Sequence, residues 1–368
     1  MESTNFTDFS DLSLFFLRGD ANVTNVDSET GSGIIIPTSY PGLRTTVLVT
    51  YLLAFIFGGL GNGLVIYIIW RHPEVRVRSV ANYYILNLAV ADFFFVMTIL
   101  FFCYATFSGS WIFGSFVCKL AYAIRDSNKY ISIFTLVVLS FDRFLASFYN
   151  AGQFRTVTVG KTVCGAIWCC FVVMTTPYWL YCQAVSYGGN RSTCKVVIPP
   201  ENNSVTVMKA WAWTQFALGF LLPFLLIVTA YAALGVRLHR LLGAGTKTGI
   251  KRPGRAMTRM TLVVTITFLV TQLPYYVIWL LNIAKMEALH SSSERSGGVA
   301  DRTGATAGSE AATRATALHL RDAKLYLNLQ AVSTILVFVC SCCNPIIYGL
   351  LNENYRKYRM YTVQHRLG

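Results

Sequence analysis

Three charged side chains stand close together inside an apolar stretch of the chain, residues 118–144. They are Arg125, Asp126 and Lys129. At about 1.5 Å per residue, a helix of this length crosses a bilayer, and charges inside such a helix usually face the protein interior or water. We therefore interpret the three residues as a ligand-binding site on a membrane-crossing helix.

An internal ion pair is the alternative interpretation of these charges. Asp126 and Lys129 stand three apart, on one face of a helix, and could bind each other. Arg125 would then lack a local partner. Because a guanidinium in a partly dry pocket prefers a carboxylate, sulfate or phosphate, the ligand would carry an acid at its buried end. If Asp126 instead offsets Arg125, the pocket is near neutral.

A second candidate site surrounds Asp92, a carboxylate in the middle of another apolar stretch. Inside a membrane it must meet a cation, a proton or other polar groups. Asn128 and Ser132 stand four apart on one helix, and Ser341 and Asn344 three apart on a later one. Each pair therefore shares a helix face, and all four side chains could converge on Asp92.

Seven apolar stretches must position these residues, and each is long enough to cross a bilayer as a helix. With 54% hydrophobic and only 13% charged residues, the chain is unlike a soluble domain. We predict an all-α membrane protein, a bundle of seven transmembrane helices (45–351) between an N-terminal tail (1–44) and a short amphipathic C-terminal helix (352–368). The apolar stretches are 45–70, 81–106, 118–145, 159–182, 209–236, 260–284 and 324–351.

The basic residues indicate the orientation of the chain. Segments 71–80, 142–161, 237–259 and 352–368 hold 17 of the lysines and arginines and three acids. Because basic residues collect in cytoplasmic loops, we expect these segments inside the cell and the N-terminus outside. The basic excess predicts contact with membrane lipid and no binding of nucleic acid. Four glycosylation acceptors fall on the outer side: Asn5, Asn22, Asn190 and Asn202.

Two further features belong to the outer side. Cys118 opens the third stretch and Cys194 lies between the fourth and fifth, so a Cys118–Cys194 disulfide is the expected pairing, with Cys182 as a competing partner. The turn residues before Cys194 favour a β-hairpin over the pocket, against a disordered glycosylated loop. Residues 290–317 lack hydrophobic periodicity and are expected to form a disordered extracellular insert.

Several motifs together resemble the rhodopsin-like (class A) G-protein-coupled receptors. They occur in the order and spacing of that family: Asn62, Asp92 in NLAVAD, Cys118, Asp142-Arg143-Phe144, Trp168, Pro223 with Tyr231, Pro274, and Asn344-Pro345-Ile346-Ile347-Tyr348. Within the family, the sequences around 132–143, 192–196 and 350–357 look most like the opioid, somatostatin and galanin receptors.

The resemblance implies roles for individual residues. Arg143 would contact the G protein and Asp142 would restrain it at rest, with Phe144, Tyr231, Asn344, Pro345 and Tyr348 completing the activation machinery. Asp92, Asn128, Ser132, Ser341 and Asn344 would bind an allosteric Na⁺, whose hard-cation chemistry favours oxygen ligands. No other cofactor is expected.

Four residues depart from the family pattern. Phe144 replaces the usual tyrosine, and Gln272 stands where most members have a tryptophan that acts as an activation switch. Cys340 replaces an asparagine that often lines the sodium site, which predicts weaker sodium binding. Arg125 takes the place of an aspartate that binds a ligand ammonium, which disfavours an amine ligand.

We therefore predict a plasma-membrane receptor, and no enzyme, that binds an extracellular neuropeptide and activates a heterotrimeric G protein of the inhibitory type. A receptor for a small carboxylate or lipid acid is the alternative within the family. A non-signalling decoy or a transporter is the alternative outside it. The expected ligand contacts are Arg125, Asp126, Lys129 and Gln272, with Trp111 at the rim.

Overall fold

The computed structural model describes most of the chain as helix. The described residues are 41–72, 79–148, 155–187, 191–198, 204–243, 255–296 and 309–351. The predicted C-terminal helix (352–368), the tail up to residue 40 and all four glycosylation acceptors lie outside them.

Nine α-helices and one two-stranded hairpin make up the described residues. The elements are α1 Pro41–Arg71, α2 Val80–Ser108, α3 Gly114–Leu145, α4 Val157–Met174, α5 Thr176–Tyr181, β1 Cys182–Tyr187, β2 Arg191–Val196, α6 Ser204–Phe216, α7 Leu222–Gly243, α8 Arg255–Ser296 and α9 Ser309–Leu351. α4 and α5 together form the fourth membrane-crossing unit, and α6 and α7 are joined into the fifth by a π-helical segment, Ala217–Leu221.

Six helical stretches of the described chain are long and apolar enough to cross a membrane. The remaining membrane-crossing helix, α3, has the length but carries six charged residues. Its place in the bundle explains this composition, because α3 packs against α2, α4, α7 and α8. Several of its charges are buried, Arg143 at only 4% exposure, whereas the lipid-facing helices must be apolar.

Three apolar clusters pack along α3, the smallest of them around Tyr130, Ile131 and Phe171. The outer cluster includes Phe102, Trp111 and Tyr122 and lies beside the hairpin. The inner cluster includes Ile133, Leu136 and Leu139. The buried charges and amides of α3 occupy the layers between and beside these clusters, so apolar packing on either side holds the polar side chains in place.

The β-hairpin and its disulfide confirm two of the sequence predictions. β1 and β2 pair antiparallel, with Ala184 opposite Cys194. Cys194 is bonded to Cys118, with their Cα atoms 5.6 Å apart. Cys182, the competing partner, is buried at the start of β1 and is not part of that bond. The disulfide fixes β2 to the outer end of α3, about two turns before Arg125.

Two helices extend into the ends of the segment 290–317. α8 continues to Ser296 and α9 begins at Ser309, so helix enters the segment from both sides. Alanine is the strongest helix former, and four alanines between 309 and 317 favour the early start of α9. Residues 297–308 lie outside the described part of the chain.

Candidate functional site

The guanidinium of Arg125 lies among aromatic rings on the outer half of α3. Its central carbon is 4.8 Å from the centroid of the Tyr122 ring and 5.7 Å from that of Phe102. Both rings are buried. Within the described residues Arg125 forms no ion pair. The faces of these two rings therefore stabilise the charge of Arg125, and no carboxylate of the described residues does so.

Asp126 and Lys129 form the ion pair that their spacing allows. The Lys129 ammonium binds Oδ1 of Asp126 and lies 5.0 Å from the centroid of the Tyr275 ring. Side-chain exposure is 8% for Lys129 and 2% for Asp126. The two charges cancel, so the Asp126 carboxylate does not compensate Arg125. The sequence left this point open, and the structure decides it in favour of a net positive charge at Arg125.

A glutamine absent from the sequence-based site extends this pair into a network. Nε2 of Gln215, at the end of α6, donates to Oδ2 of Asp126 over 2.8 Å and to the Tyr178 hydroxyl over 3.4 Å. The Tyr130 hydroxyl donates to Oε1 of Gln215. Gln215 is 2% exposed. Its signal in the sequence was a single amide within an apolar span, which usually marks a contact with another helix.

The other two predicted ligand residues lie in different surroundings. Gln272 on α8 is buried at 3% exposure, and its Oε1 has no hydrogen-bond partner in the described structure. It lies one turn from Tyr275, on the same side of α8. Trp111 is also buried, with its indole nitrogen donating to the Gly114 carbonyl over 3.0 Å. Its indole N–H is thus engaged within the protein, and its backbone N–H donates to the Ser192 carbonyl of the hairpin over 2.7 Å.

The other four predicted sodium-site residues meet around Asp92. Asn128 and Ser341 donate to Oδ1 of Asp92 over 3.3 Å and 2.7 Å, and Asn344 donates to Oδ2 over 2.8 Å. Ser132 donates to Oδ1 of Asn128 over 3.4 Å. The convergence predicted from helix spacing is therefore present.

Two buried oxygens beside Asp92 lack hydrogen-bond partners among the described residues. They are Oδ1 of Asn344 and Oδ1 of Asn62, and Asn62 lies against Ser341, to whose carbonyl it donates over 3.1 Å. A buried carboxylate with unsatisfied amide oxygens next to it is a donor set that a hard cation such as Na⁺ prefers. The residues present therefore fit such an ion.

At the C-terminal end of α3, which the sequence predicts to be cytoplasmic, Asp142 is shared by two arginines. It binds the neighbouring Arg143, which is buried. Nε of Arg155 donates to Oδ1 of Asp142 over 2.7 Å, and its terminal nitrogen donates to Oδ2 over 3.2 Å. The resemblance implied the first contact, whereas Arg155 had been counted only as a cytoplasmic charge.

The remaining predicted activation residues lie on α3, α7 and α9. Tyr231 and Tyr348 both pack in the inner cluster, Tyr348 with 0% exposure. Phe144 packs edge-to-face against Phe148, with the ring centroids 5.2 Å apart. Pro345 lies inside α9. Arg143 is held by Asp142, which corresponds to the resting arrangement that the resemblance implies.

Comparison with known proteins agrees with this arrangement. The sequence pattern of the 7 transmembrane receptor (rhodopsin family) matches residues 61–348, most of the chain. The chain belongs to this family. It is accordingly a receptor of the G-protein-coupled type with several membrane spans, and no enzyme.

Somatostatin receptors are among the similar curated proteins. The receptor is 31% identical to somatostatin receptor type 5 of Rattus norvegicus, over 86% of its own chain and 77% of the relative. It is 29% identical to type 4 of Rattus norvegicus (85% and 71%) and 29% identical to type 3 of Homo sapiens (89% and 67%). The predicted placement in the peptide-receptor branch is thereby confirmed.

Proposed function

We propose that the receptor lies in the plasma membrane with its N-terminus outside, binds an extracellular peptide and activates a heterotrimeric G protein of the inhibitory type. The observation that carries this proposal is the buried charged cluster on the outer half of α3, beneath a hairpin that the Cys118–Cys194 disulfide holds in place. Its somatostatin-receptor relatives support a peptide ligand.

The mechanism follows from the two ends of α3. A ligand that binds at Arg125 and Gln272 contacts α3 and α8 together, and these two helices also contribute side chains to the inner cluster. A ligand that prefers one relative position of these helices shifts the resting equilibrium toward it. Release of Arg143 from Asp142 would then expose a binding surface for the G protein.

A small carboxylate or lipid acid is the second candidate ligand. The uncompensated charge of Arg125 is the specific observation in its favour, because an acid of few atoms could reach it without contacting the hairpin. A transporter is less well supported, since the buried charges of α3 are paired or ringed by aromatic side chains and do not form a continuous path.

We further propose that Na⁺ binds at Asp92 and stabilises the resting receptor. The ion would supply a positive charge for the Asp92 carboxylate and a ligand for the unsatisfied oxygens of Asn62 and Asn344. A melting curve of the purified receptor should shift upward in sodium chloride relative to choline chloride, and Asp92→Asn should remove the difference. An equal shift in both proteins would contradict the site.

The receptor function is tested by expressing the chain in cells with reporters for each G protein family. The cells are challenged with a peptide library and a panel of small organic acids, with Arg143→Ala as the signalling control and a surface epitope on the N-terminus as the topology control. We expect a peptide to dissociate an inhibitory-type G protein, with no effect in Arg143→Ala.

Responses to small acids alone would favour the second candidate ligand, a small carboxylate or lipid acid. Silence of the whole panel, with the epitope accessible on intact cells, would contradict the signalling proposal and favour a decoy.

A further inference from the structure

We propose that the peptide ligand presents a single carboxylate, such as its C-terminus, to Arg125, and that Asp126 and Lys129 form a structural pair that does not bind the charged end of the ligand. This inference rests on the proposed function, since it specifies the chemical group that the same site receives.

The first step concerns the charge balance of the site. Three ionised groups lie within five residues of α3, and two of them cancel. Asp126 is bound by Lys129 on one oxygen and by Gln215 on the other, so neither oxygen is left for Arg125. The cluster therefore carries one net positive charge, located at Arg125.

The second step concerns the cost of that charge. Arg125 is partly buried, and a charge withdrawn from water in this way is most stable when it is paired or hydrogen-bonded. The rings of Tyr122 and Phe102 stabilise the guanidinium, but less than an opposite charge would. An acid on the ligand would pair with the Arg125 guanidinium. Neutralising this unpaired charge would contribute to the binding free energy.

The third step concerns the kind of anion. Contact with ring faces leaves the N–H groups of a guanidinium pointing outward in its own plane, the geometry that binds a carboxylate through two parallel hydrogen bonds. A phosphate brings close to two negative charges and would leave one uncompensated. One net positive charge thus matches a carboxylate.

Gln272 adds a neutral contact to the same ligand end. Its Oε1 is buried and has no partner within the described residues, and leaving a buried acceptor unsatisfied is unfavourable. A backbone or side-chain N–H of the ligand would satisfy it. A carboxylate at Arg125 with a donor a few atoms away is the pattern that the end of a peptide offers.

The test uses peptides synthesised in pairs that differ only at the C-terminus, as free acid or amide, together with a panel of small carboxylic acids. Cells express the wild type, Arg125→Gln, Arg125→Lys or the matched control Lys119→Gln. Lys119 is on the same helix but binds the Trp179 carbonyl at the outer surface, over 2.6 Å. G protein dissociation and surface expression are measured for each.

We expect the free acid of an active peptide to be at least tenfold more potent than its amide at the wild type, the size of a charged hydrogen bond. Arg125→Gln should remove this difference, with little further loss for the amide. Arg125→Lys should retain part of it, because lysine keeps the charge and loses the paired geometry. Lys119→Gln should leave the difference intact.

Each alternative result has a defined meaning. Acid and amide of equal potency, or equal loss of both in Arg125→Gln, would overturn the inference while leaving a peptide receptor. Arg125-dependent activation by small acids alone would support the carboxylate site and contradict the peptide ligand. Activation by no peptide and no acid would contradict both. If Arg125→Gln fails to reach the surface, the difference in potency between acid and amide is compared for Arg125→Lys and the wild type, and an undiminished difference in Arg125→Lys contradicts the paired geometry.

Discussion

At the scale of single residues, the structure separates two roles that the sequence presents together. Each of the three charged residues is improbable inside a membrane helix: Arg125, Asp126 and Lys129. Only the partners distinguish them, because Lys129 is bound by Asp126 whereas Arg125 is surrounded by rings. The location of the net positive charge in the proposed ligand site therefore depends on whether Asp126 binds Arg125 or Lys129.

The Asp126–Lys129 pair gives a prediction about stability. Lys129→Met alone should destabilise the receptor by about 3–5 kcal/mol, because it leaves a buried carboxylate uncompensated. The double variant Asp126→Asn/Lys129→Met should recover most of that loss, since no buried charge remains. Melting temperatures of the purified proteins measure both. If the double variant is no more stable than Lys129→Met, the two residues do not act as a pair.

Arg155 gives a prediction about basal signalling. It competes with Arg143 for the two oxygens of Asp142, so Arg155→Gln should leave Asp142 entirely to Arg143 and strengthen the resting state. A partly exposed contact is worth up to about 1 kcal/mol, which corresponds to a fall of about two- to fivefold in basal G protein activation. Lys161→Gln, which removes a cation that lies over the Tyr83 ring, is the matched control. A rise in basal activity would show that Arg155 restrains the resting state instead.

At the scale of the elements, the π-helical segment Ala217–Leu221 shapes the centre of the bundle. Short π-helical segments within α-helices often mark functional sites. Here the segment begins two residues after Gln215 and brings Gly219 against Tyr276 and Tyr130. A side chain at Gly219 would overlap the Tyr276 hydroxyl. Glycine at this position therefore allows the fifth and sixth membrane-crossing helices to approach each other beside the charged site.

This close approach can be tested by adding a methyl group. Gly219→Ala should lower the melting temperature, by a free energy of about 1–3 kcal/mol, because Tyr276 is fully buried and has little room to move. Gly235→Ala on α7 is the matched control, since nothing lies within 4 Å of its new methyl group. Tyr276→Phe should partly rescue Gly219→Ala by removing the overlapping hydroxyl. Equal melting temperatures for the two alanine variants would refute the close approach.

At the scale of the whole molecule, hydrophobic pattern was sufficient to predict the architecture, and the turn residues before Cys194 predicted the hairpin. Seven apolar stretches and the motifs in register with them carry that information, and the convergence on Asp92 followed from helical spacing alone. The contacts of Gln215 with Asp126 and of Arg155 with Asp142 could not be predicted in the same way. Each joins α3 to a residue outside it, and the pairing depends on rotation and depth within the bundle, which apolar periodicity does not specify.

The central claim is that α3 joins an outer ligand site to an inner signalling site, and that the two are physically separate. The most direct measurement is binding of the first active peptide, carried as a fluorescent conjugate, and G protein dissociation on the same cells, for the wild type, Arg125→Gln and Arg143→Ala. We predict that Arg125→Gln weakens binding and signalling together, whereas Arg143→Ala keeps peptide binding at the surface and loses G protein dissociation. Signalling that persists in Arg143→Ala, or unchanged binding in Arg125→Gln, would contradict the account.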